Sequence, residues 1–153
     1  MPIYLVQHAQ SLPKERDPEK GISDAGRADT ERIAGVAKGY EVVVGKICHS
    51  SKKRARQTAE LFAGELNPQN GLESGAGLNP LDNVREFAAN LDPTSNLMIV
   101  GHLPHLEQLT SWLVTGQTDH PVFRFQNSGV VCLDKSEEDE FWFIKWTLMP
   151  KIG

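Results

Sequence analysis

Three features of this chain predict an α/β fold, a three-layer α/β/α arrangement around a mostly parallel sheet. Short apolar, β-branched segments of strand length alternate with segments of helical apolar periodicity. Three of the strand segments end at polar residues, Gln7-His8, His49-Ser50 and Gly101-His102. The segments run strand, helix, strand, helix, helix, strand, helix and then strands, which suits a sheet wound with helices on both faces.

Each element has its own local reason. Residues 3–6, Ile-Tyr-Leu-Val, read as a buried strand that stops at Gln7-His8. A loop over 9–22 is punctuated by Pro13, Pro18 and Gly21, and Ser23 can cap the helix that follows. Ile33, Val36, Ala37 and Tyr40 fall on one face of that helix, and Gly39 helps to end it. Residues 42–48 form a valine-rich second strand interrupted by Gly45. A second helix starts near Lys52 with the stripe Ala55, Ala59, Phe62 and Leu66. The loop over 67–80 has room for a short strand near Leu72 or Leu78. Asp82 is placed to cap a third helix with the stripe Val84, Phe87, Ala88 and Leu91, and Pro93 follows it.

Residues 97–100, Leu-Met-Ile-Val, form the next buried strand. Pro104 suits the first turn of a helix, where a missing N–H costs nothing. Leu106, Leu109 and Leu113 line that helix and Gly116 stops it. Strands are expected over 122–125, 130–133 and 141–148, with a turn at Asn127-Ser128-Gly129 and a solvated acidic turn at 137–140.

The 153 residues, 39% apolar and 24% charged, fit one ordinary globular domain over 1–153. A net charge of −4 indicates no broad basic surface for nucleic acid. Cys48 and Cys132 read as reduced thiols; without a C-x-x-C pair there is no sign of structural zinc. His102-x-x-His105 lacks a third ligand placed by any motif, so no metal is expected. No signal peptide or membrane span is read in the sequence, which makes the cytoplasm the expected location. The oligomeric state is not legible.

In a doubly wound sheet the carboxyl ends of neighbouring strands meet in one crevice. His8, the Ser50–Arg54 corner and His102 would converge there, beside the N-terminus of the helix that begins near Lys52. A helix N-terminus offers free N–H groups to an anion, and a guanidinium offers a fork for two oxygens. The residues therefore favour an oxyanion site, most simply for phosphate.

These residues also resemble a known family. Leu5-Val6-Gln7-His8-Ala9 is similar to the N-terminal signature of the histidine phosphatase superfamily, where Arg-His-Gly or Arg-His-Ala follows the first strand. Arg54-Ala55-Arg56-Gln57-Thr58 resembles its Arg-Ala-x-x-Thr motif, Val100-Gly101-His102-x-Pro104 its late glycine-histidine motif, and Ile22-Ser23-x-x-Gly26 its usual helix start. The matches lie in the family's order over residues 3–104. The short chain is most similar to the SixA-type phosphohistidine phosphatases; the longer phosphoglycerate mutases carry insertions absent here. The resemblance implies a phosphoglycerate mutase-like fold and a hydrolase without a cofactor. It implies that His8 attacks phosphorus and forms a phosphohistidine intermediate. Gln7, His8, Arg54 and His102 would hold the phosphoryl group. The implied partner is a phosphorylated protein bearing phosphohistidine, or a small phosphorylated substrate.

Gln7 departs from the family's arginine. A neutral donor gives roughly 0.5–1.5 kcal/mol against roughly 1.5–3 for a charged one, a loss of about tenfold in rate. Lys14, Arg16 and Lys52 are candidate substitutes. Asp82 and Glu73 are the candidates for a leaving-group acid, which a phosphohistidine substrate needs less than an ester does. Two other readings follow: a phosphate-binding pseudophosphatase weakened by Gln7, and a small-molecule phosphomonoesterase.

Overall fold

The structure, a computed structural model, describes residues 1–152. Strand β1 (Ile3–Gln7) turns Tyr4 and Val6 to one face of a six-stranded sheet and Ile3 and Leu5 to the other. This alternation sorts the core into two halves. The remaining strands are β2 (Lys46–His49), β3 (Leu72–Ser74), β4 (Leu97–Gly101), β5 (Val130–Asp134) and β6 (Phe143–Leu148). Their order is β3-β2-β4-β1-β5-β6. The β3–β2, β2–β4 and β4–β1 pairs are parallel, and β5 and β6 continue the sheet antiparallel.

Helices α1 (Asp24–Gly39) and α2 (Lys53–Leu66) cover the face of Tyr4 and Val6, through Ile33 and Ala34 and through Ala55, Ala59 and Phe62. Helices α3 (Val84–Ala89) and α4 (His105–Thr115) cover the other, through Val84 and through Leu106, Leu109 and Leu113. The expected three layers and mostly parallel sheet are therefore present. No described helix is long and apolar enough to cross a membrane.

Four local expectations are corrected. The buried side of α1 is Thr30, Ile33, Ala34 and Ala37, while Val36 and Tyr40 face water. The second strand starts only at Lys46, because the Val43 carbonyl is taken by Tyr4 Oη and Asn96 Nδ2 at 3.0 and 2.8 Å. The cap of α3 is Asn83, whose Oδ1 accepts from the Arg85 and Glu86 amides; Asp82 instead accepts from the Asn79 amide in the preceding turn. Residues 122–125 form no strand. Phe125 is buried in the core and stacks edge-on with Phe123, so the apolar run there serves packing alone.

Candidate active site

The parallel pairing puts three chain reversals at one edge of the sheet. Gln7 lies opposite Gly101, and His49 opposite Val100, so β1, β4 and β2 end level with one another. The next residues continue the ladder for one step: the His8 amide donates to Gly101 O at 3.0 Å and the Ser50 amide to Val100 O at 3.2 Å. His8, His102 and Ser50 thus leave the sheet side by side, and α2 starts directly beyond.

His8 is held by its own backbone. Its Nδ1 lies 2.7 Å from the Ala9 carbonyl, which can only accept, so Nδ1 carries the proton and Nε2 keeps a lone pair. Arg54 Nε donates to that Nε2 at 3.4 Å. The main chain is fixed on both sides, with Asn127 Nδ2 donating to His8 O at 2.7 Å and the Ala9 amide donating to Thr58 Oγ1 at 2.8 Å. Burial drives the His8 pKa down to about 4, the Ala9 hydrogen bond opposes that shift, and the charges of Arg54 and Lys20 add to it. The ring is therefore neutral at pH 7.

His102 is buried, its ring 5.1 Å from that of His8. Its Nε2 hydrogen-bonds Ser50 Oγ, and its Nδ1 is buried without a partner. Ser50 Oγ also accepts the Lys52 amide at 3.4 Å. The Ser50 hydroxyl can donate to His102 Nε2 or accept from it, and the first arrangement puts the His102 proton on Nδ1. Burial, then the charges of His8, Arg54, Lys52 and His105, hold this pKa down to about 3.

Arg54 stands in the first turn of α2 and forms no ion pair among the described residues. No side chain caps this helix at Lys52, so its first amides stay open to an anion. The loop over 9–22 is tied to the same helix. Lys53 pairs with Asp17 at 2.9 Å, Asp17 accepts the Gly21 amide, and Gln57 accepts the Ile22 amide at 2.8 Å.

Gln7 ends β1 beside these groups, and its Oε1 is buried without a donor. Two lysines reach the site electrostatically, Lys52 at His102 and Lys20 at His8. Lys52 is one of the three substitutes expected; Lys14 and Arg16 are exposed and make no side-chain contact with the site. Lys20 has no signature in the sequence beyond its place just before the helix start.

The two carboxylates considered as acids point elsewhere. Glu73 is exposed, ion-paired with Lys46 at 2.6 Å and close to the Cys48 thiol. Asp82 is engaged by the Asn79 amide. His49 is buried, with Nδ1 on the Ser50 carbonyl, and His120 is exposed. His105 begins α4 and is fully buried, its ring packed edge-on against Phe87. Sequence reasoning missed Thr58 and Asn127 as supports. Thr58 was visible within the arginine motif, whereas Asn127 read only as part of a turn.

No family model matches the chain. It is 26% identical to phosphohistidine phosphatase SixA of Escherichia coli (strain K12), over 98% of this chain and 94% of that protein. It is 28% identical to an uncharacterized protein of Picosynechococcus sp., over 87% of this chain and 84% of that one. It superposes on the structure of the protein histidine phosphatase SixA complexed with tungstate with a TM-score of 0.84, at 23% identity, over 98% of this chain and 97% of the other. The alpha-ribazole phosphatase from Shigella flexneri superposes with a TM-score of 0.79 at 14% identity, over 100% and 98% of the two chains. The chain is thus similar to histidine phosphatases in sequence and shares their phosphoglycerate mutase-like fold.

Proposed function

We propose that this protein is a phosphatase that removes the phosphoryl group from phosphohistidine in a protein, through a phosphohistidine intermediate on His8. The observation that carries the reading is a neutral His8 whose Nε2 lone pair faces the Arg54 guanidinium at 3.4 Å, with the His102 ring beside it, 5.1 Å between ring centres.

In the first step the His8 Nε2 lone pair attacks phosphorus, and the bond from phosphorus to the substrate nitrogen breaks. Arg54, the open amides of α2 and His102 Nδ1–H take the phosphoryl oxygens. The substrate imidazole leaves neutral when its other nitrogen carries a proton, so no carboxylic acid is needed. Neither Glu73 nor Asp82 contacts His8, Arg54 or His102, which suits this leaving group better than an alkoxide. In the second step water attacks phosphorus and His8 Nε2 recovers its electron pair, releasing phosphate. Both free cysteines, Cys48 and Cys132, suit a reducing compartment such as the cytoplasm.

The test is turnover of a phosphohistidine protein beside an aryl phosphate. Wild-type protein is expected to release phosphate from the first faster, and His8→Ala to release none. Unchanged turnover in His8→Ala would overturn the reading. Gln7 motivates one rival, a module that binds phosphate without turning it over. Saturable vanadate binding with no hydrolysis by the native protein would support that rival.

A further inference from the structure

A groove of about 720 Å³ lies on the other side of β2 from α2, between α3 and the β2–β3 part of the sheet. Its floor is apolar, formed by Leu78, Phe87, Leu91 and Leu97. Its rim is acidic. Glu73 and Lys46 pair with each other there, which leaves Asp82, Glu86 and Asp92 without a cation. Arg85, the one cation of α3, lies over the Trp112 ring instead, 4.7 Å from its centre.

These carboxylates do not converge. Among the described residues no three His, Cys, Asp or Glu side chains could hold a metal ion. Their charge is offered at separate points along the groove, which matches cationic side chains spaced on a chain better than one ion. The apolar floor matches the stems of those side chains, since lysine and arginine bury their methylenes while the head groups stay in water.

One end of the groove lies toward the strand ends that carry the candidate active site. Gly75, at its upper end, donates its amide to the carbonyl of His49, the residue before Ser50. Phe87, on the groove floor, packs edge-on against His105, three residues after His102, with ring centres 5.9 Å apart.

We propose that this groove docks a basic, extended segment of the phosphorylated protein, so that the enzyme selects phosphohistidine flanked by lysine or arginine. The inference rests on the phosphatase reading above and adds a substrate class to it. The partner is recognised by charge along the rim and by apolar side-chain stems on the floor, not by contacts to the phosphoryl group.

The experiment uses two phosphohistidine peptides of equal length, one with lysines on both flanks and one with glutamates. Wild-type protein is expected to favour the basic peptide about three- to tenfold in kcat/KM, chiefly through KM, with the preference fading at high salt. Glu86→Lys and the double variant Glu86→Lys/Asp92→Asn alter exposed positions outside the catalytic groups. They are expected to erase the preference while leaving aryl phosphate turnover unchanged, which also shows that they fold. Equal kcat/KM for the two peptides, or a preference that survives both variants, would overturn the proposal. Fluorescence anisotropy with the unphosphorylated basic peptide separates the two readings. Binding that is lost in Glu86→Lys supports the groove even where no peptide is hydrolysed. Sedimentation showing a dimer that the same variant dissociates would assign the groove to a second copy of the chain and overturn the proposal.

Discussion

Thr58 and Ala9 join the two halves of the site. The Ala9 amide donates to Thr58 Oγ1 at 2.8 Å, and the same hydroxyl donates to the Arg54 carbonyl at 2.8 Å. One buried side chain therefore fixes the backbone after His8 and the turn of α2 that carries Arg54. Thr58→Val keeps the shape and removes both bonds, leaving the buried Ala9 amide unpaired. A loss of about 1–3 kcal/mol is expected in urea unfolding. kcat is expected to fall further than KM changes, because His8 and Arg54 lose their common anchor. Thr58→Ser, which keeps the hydroxyl, should recover most of both. Equal kcat in the valine and serine variants would show that the tie does not position the nucleophile.

Gln7 is a neutral amide where the motif that this stretch resembles has an arginine, and Lys20 acts on the neighbouring His8 ring from the loop over 9–22. Gln7→Arg is expected to raise kcat/KM on a phosphohistidine substrate by about tenfold. Lys20→Gln should lower it several-fold in the native background and less in Gln7→Arg, since either cation can serve the anion. Independent effects in the double variant, read as additive free energies, would argue against such substitution.

Ser50 Oγ is the hydrogen-bond partner of His102 Nε2. Without its hydroxyl the buried Nε2 has no partner, and the proton need not reside on Nδ1. Ser50→Ala is expected to weaken vanadate binding and to raise KM more than it lowers stability. The nitrogen shifts of His102 in NMR should change tautomer in the same variant. An unaltered tautomer would remove Ser50 from the site's machinery.

The fold was legible where burial and periodicity agree. The strands ending at His8 and His102 are apolar on both faces because helices cover both, so continuous runs marked them. Helix starts were legible where a cap side chain has no competitor, as at Ser23, whose Oγ accepts the Gly26 amide. At Asp82-Asn83 two capping residues compete, and the local turn at Asn79 decides between them. The stretch around Val43 shows the opposite limit: valines suggest a strand, but side chains from β1 and from Asn96 take its carbonyl. His8, Arg54 and His102 were legible because each follows a strand end or opens a helix. Asn127 and Lys20 reach the site through tertiary folding alone, and no local pattern marks them.

Acid should destabilise the protein before carboxylates titrate. Burial holds His8 at about 4 and His102 at about 3, and lowers His105 as well. In the unfolded chain each takes a proton near 6.5, whereas the folded protein does not. The unfolded state thus binds more protons between about 6.5 and 4, and stability falls as pH drops through that range. The slope approaches about 1.4 kcal/mol per pH unit for each such histidine. The urea midpoint should hold between pH 8 and 7 and decline from pH 6.5 to 5. His102→Asn should flatten that decline, and a midpoint constant down to pH 5 would contradict the burial of neutral imidazoles.

Gly26 is required at the helix start by a close backbone approach. It lies in the first turn of α1, and a Cβ there would overlap the Gln10 carbonyl oxygen and lie 3.0 Å from the Gln10 amide nitrogen. Both atoms are backbone, and the same stretch is already bonded: the Ser23 amide donates to Gln10 O at 2.8 Å. An alanine ordinarily stabilises a helix interior by about 1 kcal/mol over glycine. Here Gly26→Ala must push α1 off the loop that follows His8, so the sign reverses. A net loss of about 1–3 kcal/mol is expected, together with lower kcat, because the displaced loop carries the Ala9 carbonyl that fixes the His8 tautomer. The contrast is Gly35→Ala, on the exposed side of the same helix with no atom within 4 Å of a Cβ. That variant should gain stability and keep its activity. If both alanines stabilise alike, the close approach of α1 to Gln10 does not constrain the site.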